Sequence, residues 1–100
     1  MADLQTKSWI FLAIAFSSKI ELANVKAISD AADYINHSIP TQEEMQSSIN
    51  WLIDKKLITG NQNKYGLTET GKKLYSNASN KGNTIIYILN QIEKNIQNYA

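Results

Sequence analysis

Four polar side chains, Gln42, Gln46, Ser47 and Asn50, recur at the three- and four-residue steps that gather residues on one side of a helix. Asn and Gln amides can hold an adenine edge by two hydrogen bonds, and a Ser hydroxyl can donate or accept. The pattern is therefore chemically fit to read bases, although polar residues populate any solvated helix face. Glu43 on the same side would repel phosphate, and Glu44 is expected to be occupied by a helix cap. A second group, Asn61, Gln62, Asn63 and Lys64, follows Gly60. Lys64 is the natural phosphate partner there, with Lys72 and Lys73 flanking it, and Asn61 and Asn63 suit a backbone contact. The same Gly and Asn residues are what a tight turn requires, and Gly60 is expected to supply a positive φ. Lys55 and Lys56 close the helix before this stretch, where cations suit the helix dipole.

Other chemistry finds little support. There is no cysteine, which leaves neither a disulfide nor a thiolate metal site. His37 is the single histidine, set at a helix end with no acidic pair at metal-ligand spacing, and reads as a capping or turn residue. Trp9 and Trp51 could line a ligand pocket, but aromatic residues in small cores mainly supply buried area. No phosphate loop, nucleophile elbow or paired carboxylates are found. No catalytic residue, metal or cofactor is expected.

The elements that must position these groups follow from hydrophobic spacing. Residues 4–17 predict a first helix, apolar nearly all round through Leu4, Trp9, Ile10, Phe11, Leu12, Ile14 and Phe16, and so covered on most sides. Ile20-Glu21-Leu22 alternates like a short strand. Asn24 caps a second helix over residues 25–36, with Ile28, Ala31, Ala32 and Ile35 on one face. Pro40 ends that unit, since the residue before a proline is driven out of the helical region. Thr41 with Glu44 makes a capping box, so a third helix begins at residue 42. Its buried stripe is Met45, Ile49 and Leu52, extended to Ile53 and the stem of Lys56. Leu57-Ile58-Thr59 and Tyr65-Gly66-Leu67-Thr68 around the polar tip predict a β-hairpin. A fourth helix covers residues 69–78, a turn residues 80–83, and a last helix residues 84–99. The expected fold is mainly α with a small hairpin, a single winged helix-turn-helix domain over residues 1–100. Its core spans residues 4–80, and a C-terminal dimerisation helix spans residues 82–100.

One hundred residues suit one domain with a thin core. The apolar run Trp9–Phe16 is too short for a membrane span and lacks the features of a leader peptide, so a cytoplasmic protein is expected, with no membrane partner. The formal net charge is only +1, but it is segregated. Glu21, Asp30, Asp33, Glu43, Glu44 and Asp54 stand against Lys26 in residues 21–54. Lys55, Lys56, Lys64, Lys72, Lys73 and Lys81 stand against Glu69 in residues 55–81. All ten basic residues are Lys. The absence of Arg removes the usual fork for guanine, though a composition rich in Lys, Asn and Ile also fits drift in an A·T-rich genome.

Pro40-Thr41-Gln42-Glu43-Glu44-Met45, Ile49-Asn50-Trp51-Leu52, Lys55-Lys56-Leu57-Ile58 and Tyr65-Gly66-Leu67-Thr68-Glu69-Thr70-Gly71 together resemble bacterial winged-helix regulators of the MarR- and PadR-like kind. There a helix ends in a basic turn and Leu-Ile, and a hairpin closes on Leu-Thr-x-x-Gly. The likeness spans roughly residues 20–75. It implies a transcriptional regulator that places its third helix in the major groove of double-stranded DNA and its hairpin on phosphates. The alternative function is a protein–protein interaction module, in which acidic helices and a basic hairpin meet a protein partner.

A homodimer is expected through Ile85, Leu89, Ile92, Ile96 and Tyr99, with Ile88 alternating with Leu89, since a stripe of about four turns should not face water. The competing arrangement folds this helix back onto the first within one chain.

Overall fold

The computed structural model describes residues 3–80, 82 and 84–99. Among them are five helices and a small antiparallel sheet: α1 (Leu4–Ser17), β1 (Ala23–Asn24), α2 (Val25–Asn36), α3 (Gln42–Asp54), β2 (Ile58–Asn61), β3 (Lys64–Leu67), α4 (Glu69–Ser79) and α5 (Ile85–Gln97). The strand order is β1-β3-β2, with Ala23 opposite Tyr65 and Gly60 opposite the same residue from the other side. Among the described residues no helix is long and apolar enough to cross a membrane.

α1 is the axle of the molecule. Every residue from Ser8 to Ala15 is buried, and the helix packs against α2, α3, α5, β3 and α4. Its start is set by Asp3, whose carboxylate accepts from the Thr6 backbone N–H at 2.8 Å; that bond holds the Asp3 carboxyl below its usual range. Trp9 is structural: its ring is buried and its indole N–H donates to the Ala32 carbonyl at 2.9 Å, tying α1 to α2.

Two residues expected at a dimer seam, Ile92 and Ile96, are turned inward. Ile88, Ile92 and Ile96 are buried within the chain, the last two completely, because α5 packs on α1 and α4. Ile85, Leu89 and Tyr99 are half-buried against the same core. An α1 apolar on all sides has a face left over after α2 and α3 are seated, and α5 covers it. The outward large apolar residue of α5 is Ile86, 74% exposed.

The first strand lies three residues later than its alternating pattern suggests. Ile20 is 98% exposed, and pairing starts at Ala23, whose side chain is buried. His37 ends α2 in the left-handed region, φ 53°, its N–H on the Asp33 carbonyl. The turn expected at residues 80–83 falls partly on Lys81 and Asn83, which lie outside the described residues.

Candidate nucleic-acid interface

α3 is fastened at both ends. Thr41 Oγ1 accepts from the Glu44 N–H at 3.0 Å, and Glu44 Oε1 accepts from the Thr41 N–H at 2.9 Å, so both halves of the capping box are present. At the other end the Lys56 N–H meets the Ile53 carbonyl and the Leu57 N–H meets the Leu52 carbonyl, at 2.9 and 3.0 Å. This is a Schellman closure with Lys56 in the left-handed position, φ 61°, where glycine is usual. Lys56 therefore points to solvent and adds nothing to the buried stripe, and Ile53 is 40% exposed. The stripe that does bury is Met45, Ser48, Ile49 and Leu52. Ser48 Oγ finds no hydrogen-bond partner there.

At roughly 100° per residue, the direction opposite that stripe is shared by Glu43, Ser47, Asn50 and Asp54. Gln42, Gln46 and Ile53 lie toward one flank and Glu44, Trp51 and Lys55 toward the other. Gln42, Glu43, Gln46, Asn50 and Asp54 are exposed and Ser47 half-exposed, so the four polar candidates of α3 share one outer surface. Gln46 Nε2 donates to Asn50 Oδ1 at 2.9 Å, one turn apart. The pair leaves Gln46 Oε1 as an acceptor and the Asn50 amide hydrogens as donors.

The hairpin meets the Gln46–Ile53 flank. A Cβ on Gly60 would lie 2.9 Å from the Tyr65 ring and 3.7 Å from Ile53 Cδ1. Gly60 is therefore a strand residue over which Tyr65 lies, and no described glycine has positive φ. The turn is made by Gln62 and Asn63, φ 53° and 64°, as a two-residue connection between Asn61 and Lys64. Lys64 stands at the tip, with Asn24 beside it in β1 and Asn61 beside it in β2. Asn61, Asn63 and Lys64 are exposed together. Lys72 is placed elsewhere: on α4, 4.0 Å from Glu69, lining a hollow with Lys19, Leu22, Gly66 and Tyr75.

The Leu-Thr-x-x-Gly stretch proves to be a joint. Thr68 Oγ1 donates to the Lys56 carbonyl at 2.7 Å and accepts from the Gly71 N–H at 3.0 Å, while the Thr68 N–H reaches the Leu57 carbonyl. A Cβ on Gly71 would stand 2.0 Å from the Leu57 carbonyl oxygen, so only glycine lets α4 lie this close to the end of α3.

A feature that residue spacing did not single out is the surroundings of Trp51. Lys7 Nζ from α1 stands 4.5 Å from its ring centroid and Lys55 Nζ 5.8 Å. A hollow of about 420 Å³ lies between α1, the α2–α3 turn and α5, lined by Trp9, Ser38, Glu44, Leu89 and Glu93 among others. Among the described residues no group of three His, Asp or Glu could hold a metal ion.

Comparison of the chain with models of known families, with curated proteins and with solved structures finds no match.

Proposed function

We propose that the chain is a winged helix-turn-helix protein that binds double-stranded DNA as a transcriptional regulator, with α3 in the major groove and the β2–β3 hairpin on the backbone. The observation that carries this reading is the hydrogen-bonded Gln46–Asn50 pair on the outer face of α3, a helix whose Ile53 packs against a hairpin tipped by Lys64. Its free acceptor and donors match the N6 donor and N7 acceptor that adenine displays in the major groove. The element order α1-β1-α2-α3-β2-β3 with sheet order β1-β3-β2 supports the winged-helix assignment. Gln42 and Ser47 extend the base-reading face, and Asn61 and Asn63 flank Lys64. Any two-fold pairing that offers two α3 helices to successive grooves must use surface outside Ile88, Ile92 and Ile96.

A second reading, a protein-interaction module, is favoured by Glu43 and Asp54, exposed along the same outer face. Carboxylates there repel phosphate and attract a basic protein surface.

Binding to unrelated duplexes across a salt series separates the two. DNA binding predicts that Lys64→Ala weakens all duplexes alike and lowers the salt slope by about one. Gln46→Ala or Asn50→Ala should change preference among duplexes, by ~1–3 kcal/mol where a two-bond contact is lost. Absence of binding at low salt selects the protein partner.

A further inference from the structure

We propose that Lys7, Trp51 and Lys55 form a second phosphate contact, on the flank of α3 opposite the hairpin. This rests on the DNA reading of α3 and states where the other strand of the groove lies. A major groove is about 12 Å wide and a helix with its side chains about 10–12 Å across, so a helix in the groove has a phosphate strand along each flank. On the flank of Ile53 packs the hairpin, which carries Lys64 at its tip. On the flank of Trp51 the cations are Lys7 and Lys55, from the first turns of α1 and the end of α3.

Several features make this pair of lysines more than scattered surface charge. They come from two helices and converge on one indole, at 4.5 and 5.8 Å from its centroid. Lys7 is half-buried, and the Lys55 side chain is only 32% exposed, so much of their rotamer freedom is already spent. The negative ring face holds the ammonium groups in place without neutralising their charge. A phosphate, with a full charge, competes well against the quadrupole of the ring. Their acidic neighbours are exposed and weakly placed. Asp54 Oδ2 is 3.9 Å from Lys55 Nζ, and Asp3, one turn before Lys7, is engaged by the Thr6 N–H. Glu44 lies on the same flank at the far end of α3, but its carboxylate is turned back onto the Thr41 N–H.

The test uses the full chain and duplex DNA, read by fluorescence anisotropy across a salt series, with thermal midpoints of every variant. Lys7→Gln and Lys55→Gln should each lower the salt slope by about one, equally on unrelated duplexes, as Lys64→Ala does. Lys7→Arg should restore the slope, which separates loss of charge from loss of packing. Asp54→Asn should tighten binding by freeing Lys55. Slopes unchanged in both Gln variants, while Lys64→Ala lowers its own, would overturn this contact and leave the DNA reading standing. A wild-type chain that binds no duplex at low salt would overturn both.

Discussion

The two ends of α3 reach the same result by different means. The N-terminal end is closed by two side chains three residues apart, Thr41 and Glu44, both near the surface. The C-terminal end is closed by backbone hydrogen bonds around a lysine in a conformation suited to glycine, and by the Thr68 hydroxyl at the start of α4, twelve residues on from Lys56. The first device is local and sets only where the helix begins. The second fixes hairpin, α3 and α4 against one another, and so sets the angle between the hairpin and α3. Loss of the second should therefore cost far more than loss of the first.

Gly71→Ala should have the largest effect. Its new methyl meets a backbone oxygen that cannot swing aside, and a stability loss of about 3 kcal/mol or more is expected in denaturant unfolding. A loss below 1 kcal/mol would mean that α4 can lift off the end of α3 freely. Thr68→Ala removes both the cap of α4 and the bond to the Lys56 carbonyl, with an expected cost of about 2 kcal/mol. Thr41→Ala should cost ~1 kcal/mol, and an unchanged midpoint would show that the capping box adds no stability. Lys56→Gly reverses the sign: relief of the left-handed lysine should raise stability by about 0.5–1 kcal/mol, readable as a rise in Tm. A fall would show that the Lys56 side chain has a packing role.

The same contrast between local and distant causes separates what residue order reveals from what it conceals. Asn24 and Thr41 announce the starts of α2 and α3 because a cap needs only residues three positions apart. The apolar stripe of α5 is equally plain, but periodicity tells that a face is covered, not by what. Ile92 and Ile96 are covered by α1 and α4, where a second chain was expected. The short strand is displaced from Ile20–Leu22 to Ala23–Asn24 because its position is decided by pairing with β3, a partner about forty residues away. Gly60 looks like a turn residue in isolation and becomes a strand residue once Tyr65 lies across it. At the candidate interface, the outer residues of α3 follow from helical spacing. The placement of Lys72 on α4, three residues from Glu69, follows from the predicted fourth helix, whereas that of Lys7 over Trp51 depends on packing that no local pattern encodes.

On the proposed reading, the outer face of α3 and the hairpin tip form one DNA-binding surface. The most direct measurement is a 15N-labelled NMR titration with duplex DNA at low salt. Shift changes should be concentrated in the side-chain amides of Gln46 and Asn50 and the backbone amides of residues 61–64, and should be reversed by added salt. Absence of any shift, or shifts confined to the hollow lined by Trp9, Leu89 and Glu93, would contradict it.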